Sequence, residues 1–294
     1  AYHYFEAIQY YGTQNPSTLC TLFKLAMPSV SALYAKQGTA LKQTSQMLKA
    51  VEAFRNAIHH APDSKSKLSV HNSLGNLLQS MGDYTGALEE YNKAAQLGEA
   101  LSDLISLSWA HGNMGNAYLG LHQKDTALHH LKKALDLTIK HEPTPQAISR
   151  AYNNLGTAYQ SLEDLKGAEE NFNLALDQAI YGNDAAGQAR ALGNLGNILM
   201  LGKNYERAVE QYSEVFNLSK DRQVLSTAYH NRGCAYCEWA EQVRSAQNGT
   251  TSGTSDRDNP QVLGNTGSVV PRPGFTSTVL YRLGANDLTQ AIEL

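Results

Sequence analysis

The sequence predicts an all-α solenoid, a row of helix hairpins in which each hairpin packs on its neighbours. Two observations predict this fold. A short phrase with a central glycine returns every 37 to 41 residues, which is a period typical of helical repeat arrays. A grid of small and aromatic residues also follows each glycine at fixed distances. The repeating glycines are Gly38, Gly75, Gly115, Gly156, Gly196 and Gly233.

The grid places a second helix after each glycine-centred helix. Gly75 is followed by Ala87, Tyr91 and Ala94, at 12, 16 and 19 residues. Steps of four and three residues keep these positions on one helix face. The small residues let the two helices of a hairpin approach closely, while the aromatic fills the space between neighbouring hairpins. The same grid follows four other glycines, at Ala50, Phe54, Ala57; Ala127, Leu131, Ala134; Ala168, Phe172, Ala175; and Ala208, Tyr212, Val215.

Composition narrows the classes of function. The 294 residues carry a formal charge of only -3 from well-mixed acidic and basic residues, so we expect no nucleic-acid partner. No run approaches the roughly 20 apolar residues of a membrane span, and we expect no membrane contact. Three cysteines make no disulfide framework, which favours a reducing, cytoplasmic location. The chain begins at Ala1, and we expect it to be a segment of a longer protein.

The repeated residues resemble the tetratricopeptide repeat family. The resemblance rests on Leu155-Gly156, Tyr159, Ala168, Phe172 and Ala175, with an aromatic or histidine four residues before the glycine. It covers residues 30–244 and implies a right-handed α-solenoid of tetratricopeptide hairpins. The units exceed the usual ~34 residues, and their long form is similar to arrays in scaffolds of cell division. That likeness implies a role in cell division or midbody assembly, at the spindle or midbody, with a mitotic kinase as partner.

The predicted organisation follows the glycines. Residues 1–29 form N-terminal helices, interpreted as the tail of a preceding repeat, with Pro28 ending a helix. In the sixth unit the grid resumes only at Gly284, Leu288 and Ala291, so we expect residues 245–278, rich in Ser, Thr and Gly, to be a disordered insertion. The predicted units are 30–66, 67–106, 107–146, 147–186 and 187–224, then helix A of a sixth at 225–244 and the start of its helix B at 279–294.

One face of each glycine-centred helix carries polar residues. Positions two before and one after the glycine share a stripe, and arginine extends this stripe by one turn in two units. The family resemblance implies that this face lines a concave groove, and that Asn113, Asn154, Asn194 and Asn231 bind the main chain of an extended peptide. The alternative is that these asparagines only hydrogen-bond within the repeat. The predicted groove residues are Asn113, Asn116, Arg150, Asn154, Thr157, Arg190, Asn194, Asn197 and Asn231.

The arginines suggest what the ligand carries. A guanidinium binds carboxylate or phosphate in a bidentate manner, so we expect an acidic or phosphorylated segment of a partner protein. Cys234 and Cys237 form a CxxC, but zinc needs further ligands that the neighbouring sequence does not provide. We therefore expect no metal, no cofactor and no catalytic residues.

The sequence thus predicts a scaffold whose groove binds a peptide segment of another protein. Two other functions stay open. The array could be the regulatory arm of a larger protein with a downstream caspase-like domain, as the resemblance to long-unit arrays implies, or it could be a structural module for self-association.

Overall fold

The computed structural model describes residues 16–251 and 276–294, with side chains for 30–247 and 276–294. The chain divides into two compact units, residues 1–162 and 163–294. The first contains seven described helices: α1 (Pro16–Gln43), α2 (Met47–His59), α3 (Ser64–Ser80), α4 (Tyr84–Ala100), α5 (Leu104–Gly120), α6 (Lys124–His141) and α7 (Pro145–Ser161). The second contains five: α8 (Leu165–Tyr181), α9 (Ala185–Leu201), α10 (Tyr205–Leu218), α11 (Arg222–Thr251) and α12 (Ser277–Glu293). Within these described ranges there is no strand, and the predicted all-α solenoid class is confirmed.

Most of the described turns between helices share one local geometry. A residue with positive φ, such as Glu163 at 63° or Asn183 at 50°, precedes the N-cap residue of the next helix. That next residue is often an aspartate, whose carboxylate accepts a hydrogen bond from a free N–H of the first helical turn. Asp164 accepts from the Gly167 N–H at 2.9 Å. Asp83 accepts in the same way from the Gly86 N–H at 2.9 Å.

In the first unit, Gly38, Gly75 and Gly115 lie where the two helices of a hairpin touch. A methyl group at Gly75 would stand 2.5 Å from Cε1 of Tyr91. The Tyr91 ring is fully buried and clusters with Met114 and Ala117 of the next hairpin. One aromatic side chain therefore fills space both within its own hairpin and towards the following one.

The second unit repeats this packing twice. Gly196 lies against the ring of Tyr212 so closely that no side chain would fit. In the last hairpin, a methyl group at Gly233 would stand 3.1 Å from the Gly284 carbonyl oxygen and 2.9 Å from Cγ of Leu288. Helices α11 and α12 thus pair as the earlier helices do, although their contact residues are about 51 positions apart in the sequence.

Two helices run further than the sequence predicts. Helix α1 continues through Pro28. A proline inside a helix removes one hydrogen bond, but a long helix can accommodate it by a kink. Helix α11 continues past 244 to Thr251, since no proline interrupts it, so the start of the expected disordered insertion is helical. Its end is helical too, because α12 begins at Ser277. Residues 252–275 lie outside the described residues, as do residues 1–15 of the expected N-terminal helices.

The first helix of each unit begins slightly earlier than the predicted unit boundary. These helices begin at Ser64, Leu104, Pro145, Ala185 and Arg222, where the boundaries were expected at 67, 107, 147, 187 and 225. The capping residue decides the start, because its side chain satisfies the first free N–H groups. The caps of the first four are Asp63, Asp103, Thr144 and Asp184.

Candidate functional site

The second unit contains an open cleft of about 520 Å³ between helices α9, α10 and α11. Four of the sequence-predicted residues line it: Arg190, Asn194 and Asn197 on α9, and Asn231 on α11. They meet because steps of three and four residues keep the α9 side chains on one helix face. Asn231 joins them from α11, the first helix of the following hairpin.

The cleft is apolar at its base and polar on its walls. Ala189, Val215 and Ala228 line it yet are at most 6% exposed, and they belong to one buried cluster that also contains Leu192. The asparagines are half-buried, whereas Arg190, Gln223 and Thr227 are exposed at the rim. A ligand in this cleft would therefore meet hydrocarbon below and hydrogen-bonding groups beside it.

The amides on the walls are held by hydrogen bonds. The Tyr212 hydroxyl donates to the Asn197 side-chain oxygen at 2.6 Å, and the Asn231 amide donates to the same oxygen at 3.3 Å. Burial raises the pKa of Tyr212 above its ordinary value, so its hydroxyl keeps its proton and stays a donor. Asn197 thus serves the repeat through its oxygen, while its NH₂ group and the Asn231 oxygen retain bonding capacity.

Charge is unevenly placed around the cleft. The Asp221 carboxylate accepts the Gln223 and Val224 backbone N–H groups at 2.8 and 3.1 Å, so it caps helix α11. Arg190 is exposed at the rim, and in the described part of the chain no ion pair involves it. Its guanidinium is the group at this cleft that is suited to an anionic ligand.

The other five predicted residues lie in the first unit, on α5 and α7: Asn113, Asn116, Arg150, Asn154 and Thr157. The Arg150 guanidinium carbon lies 5.5 Å from the centre of the Trp109 ring. The Thr157 hydroxyl donates to the Asn153 backbone oxygen at 3.1 Å, which gives it a partner within its own helix.

Three important residues were missed by the sequence reasoning. Trp109 stands six residues before Gly115, as Arg150 and Arg190 stand before their own glycines, so the repeat register could have revealed it. Tyr212 was recognised as a packing residue, but not as the donor that holds Asn197. Gly193 lines the cleft, and nothing in the spacing of the repeat glycines distinguishes it.

Cys234 and Cys237 of the CxxC both lie on α11. The Cys234 sulfur lies 3.8 Å from Nε2 of His230, and burial raises the pKa of Cys237. Among the described residues no group of three or more His, Cys, Asp or Glu side chains could hold a metal ion. None of the described helices is long and apolar enough to cross a membrane.

Comparison with known proteins identifies a repeat family. The family profile described as "Tetratricopeptide repeat" matches residues 66–140 and 147–221. No curated protein matches the chain.

Solved structures share the fold at low sequence identity. BtubC from P. vanneervenii is 21% identical, with a TM-score of 0.55 over 76% of this chain and 97% of that one. A Rap protein complexed with Competence and Sporulation Factor is 13% identical, with a TM-score of 0.61 over 99% and 86% of the two chains. Tetratricopeptide-like repeats of a putative kinesin light chain from Podosopora anserina are 16% identical, with a TM-score of 0.51 over 65% and 95%. At these identities the likeness concerns the fold alone.

Proposed function

The chain belongs to the tetratricopeptide repeat family, and from that premise we propose that it is a protein–protein interaction scaffold whose cleft between α9, α10 and α11 binds an extended segment of a partner protein. The observation that carries this proposal is the convergence of Arg190, Asn194, Asn197 and Asn231 on one cleft. A scaffold role is typical of tetratricopeptide arrays. The Rap protein of similar fold was solved in complex with Competence and Sporulation Factor, which supports a binding role for such arrays.

The amides suit a main-chain ligand of any sequence. A side-chain amide offers a donor and an acceptor together, so it can pair with both halves of a peptide unit. The Tyr212–Asn197–Asn231 hydrogen bonds hold two of these amides in place before a ligand arrives. Pre-ordering lowers the entropy that binding would otherwise cost.

Arg190 adds discrimination to that main-chain binding. A bidentate contact with a carboxylate or phosphate is stronger and more directional than a neutral hydrogen bond. The proposed ligand therefore carries an acidic or phosphorylated residue near the rim. In the first unit, Asn113 and Asn116 lie on α5 and Arg150 and Asn154 on α7, and we propose that they offer the ligand a second surface, where the Arg150 guanidinium lies over the Trp109 ring.

A role in cell division is the finer part of the proposal. The long units, with their Arg-Ala-x-x-Asn-Leu-Gly-Asn phrase, resemble those of the spindle adaptor LGN and of tetratricopeptide repeat protein 28. This resemblance supports a place at the spindle or midbody and a mitotic kinase among the partners. Imaging of the tagged chain through mitosis tests this part, and a uniform distribution at every stage contradicts it.

The binding proposal is tested with peptides. The full chain is used to select 12-residue peptides from a random display library, and selected peptides are synthesised and titrated against variants. Asn194→Ala combined with Asn231→Ala should weaken binding about ten-fold or more, since each lost hydrogen bond contributes about 0.5–1.5 kcal/mol. Arg190→Ala should weaken only peptides with acidic residues, and added salt should reduce the difference.

Asn173→Ala is the matched control, because Asn173 is exposed on α8 and does not line the cleft. It should bind like the wild type. Equal affinities for all variants would exclude the cleft as the binding site. Light scattering on the same samples examines self-association, and concentration-dependent oligomers without peptide binding would favour a structural module.

A further inference from the structure

Gly193 is a helical glycine that the fold does not require. It lies inside α9, three residues before Gly196, and it lines the cleft. Apart from its two chain neighbours and the backbone of its own helix, no atom lies within 4 Å of the position that its Cβ would occupy. Gly196 differs, because its Cβ would collide with the Tyr212 ring. Gly112, at the matching position of the third repeat, would make ordinary contacts at 3.8 Å with Asn154 and 3.9 Å with Ala134.

A glycine without a packing role weakens its helix. Glycine has more conformational freedom to lose on folding than any other residue, so alanine is preferred in a helix interior. Gly193 has ordinary helical backbone angles, and no turn or close helix contact demands it. Alanine would fit here and would stabilise α9. What glycine provides is open space above the helix backbone, on the wall of the cleft.

The chemistry around that space indicates what fills it. The buried side chains of Ala189, Val215 and Ala228 form the apolar base of the cleft. A charged or strongly polar group placed against this base would lose hydration without gaining a partner. A bulky hydrocarbon surface would instead gain free energy in proportion to the apolar area that leaves water.

We infer that Gly193 is a specificity-determining residue that admits a bulky apolar side chain of the bound peptide, aromatic or branched aliphatic, against the bare backbone of α9. This inference rests on the proposed peptide-binding function and adds an anchor to it. The anchor side chain packs on Ala189, Val215 and Ala228, while Asn194 and Asn231 hold the adjacent main chain. An acidic residue elsewhere on the same peptide faces Arg190 at the rim.

The experiment uses the full chain and fluorescein-labelled peptides selected by it from a random 12-residue display library. Alanine scanning of each peptide identifies its anchor, which should be Phe, Tyr, Trp, Leu or Ile. Gly193→Ala should raise the melting temperature by about 1–4 °C and weaken the anchored peptides. Gly193→Leu should weaken them at least about ten-fold, and should weaken the alanine-anchor version of the same peptide much less.

Gly112→Ala is the matched control, since it replaces a helical glycine at the same register outside this cleft. It should raise the melting temperature similarly and leave unchanged the affinity of the peptides that depend on Asn194 and Asn231. If both Gly193 variants bind anchored peptides as the wild type does, while the Asn194 and Asn231 double variant loses binding, the inference about Gly193 is wrong and the proposed function stands. If no selected peptide depends on Asn194 and Asn231, the proposed function itself fails.

Discussion

Residues at one register position make different contacts in different repeats. Four residues before Gly75, His71 binds the Glu90 carboxylate at 2.6 Å, and Lys93 binds the same carboxylate. Four residues before Gly115, Nδ1 of His111 lies 2.9 Å from Nδ1 of His130. At this position both repeats therefore have a polar contact between their two helices, but only the His111–His130 contact joins two imidazole rings.

The histidine pair requires at least one neutral ring, because one nitrogen must accept the proton that the other donates. His111 is 6% exposed. Its burial lowers its pKa to about 4, and the charges of Lys133, His130 and His129 act in the same direction. Burial also lowers the pKa of His130. The His130 ring stacks on the Tyr118 ring, with 5.2 Å between the two ring centres.

This pair predicts a loss of stability in mild acid. Unfolded histidine titrates near 6.5, so between pH 6.5 and 4 the unfolded chain binds more protons than the folded one. The contribution of the neutral His111 to the free energy of unfolding should be complete above about pH 6.5. As the pH falls towards 4, the free energy of unfolding should decrease by up to about 3 kcal/mol. Urea unfolding at several pH values measures this slope. His111→Leu, which places here the residue that Leu192 provides in the fifth repeat, should flatten it.

His59→Gln is the control, since His59 is exposed on α2. It should keep the slope of the wild type. A His111→Leu variant with an unchanged slope would show that the acid sensitivity arises elsewhere, for example at the Glu90 carboxylate, whose pKa is lowered by its bonds to His71 and Lys93 against the opposing effect of burial.

Among the helices, α12 depends on one buried ion pair. Nε and Nη2 of Arg232 on α11 donate to the Asp287 carboxylate at 2.6 and 2.9 Å, and Nη1 donates to Ser213 on α10 at 3.0 Å. The guanidinium also lies 4.4 Å from the centre of the Phe216 ring. Since the Asp287 side chain is only 5% exposed, this contact joins three helices through groups that water barely reaches.

Asp287→Ala should therefore release α12. Removing one partner of a buried pair leaves the other charge uncompensated, which costs about 3–5 kcal/mol. Trp239 is 3% exposed and shares a buried cluster with Leu280 of α12, so its fluorescence reports docking. In a Trp109→Phe background, which leaves Trp239 as the only tryptophan, Asp287→Ala should shift the emission to longer wavelength and lower the melting midpoint.

Asp136→Ala tests whether the effect depends on burial. Asp136 pairs with Lys140 at 2.9 Å, but both side chains are about 60% exposed, and such pairs contribute about 0.5 kcal/mol or less. This control should leave the emission and the midpoint nearly unchanged. An Asp287→Ala variant that behaves like it would show that the apolar contacts of α12 and its other hydrogen bonds, such as that from the Ser226 hydroxyl to the Ala291 carbonyl oxygen, hold it without the ion pair.

For the whole molecule, stability should be shared between neighbouring hairpins. In repeat arrays each repeat packs mainly on its neighbours, so the loss of stability caused by a local defect decreases with distance along the chain. The packing described for each unit consists of such contacts between successive helices, from the Gly75–Tyr91 contact in the first to the Gly196–Tyr212 contact in the second.

Gly196→Ala should reveal this spread. The added methyl group collides with the Tyr212 ring, which costs about 1–3 kcal/mol. Hydrogen exchange should accelerate most in α9 and α10, less in α11, and least in α1 and α2. Gly75→Ala, which collides with Tyr91, is the matched variant and should reverse the order, with the largest change in α3 and α4. Equal acceleration along the whole chain in both variants would mean that the array unfolds as one cooperative unit.

The sequence alone was enough to predict the fold class and the contact of Gly196 with the facing helix. These features repeat, and a period reports directly which face of a helix is buried. Local signals were less reliable, as at Pro28, where the helix continues.

Only the tertiary structure decided which polar groups meet. It joined Arg232 to Asp287 across 55 positions, placed Val215 and Ala228 beneath Asn194, and gave the Asn197 oxygen to Tyr212. Helix periodicity places a residue on a face, but its partners depend on how closely the neighbouring helices approach and on which rotamers that approach allows. For this reason the predicted asparagines could be assigned to one stripe of the helices, whereas the cleft and the open space above Gly193 appear only when α9, α10 and α11 are packed together.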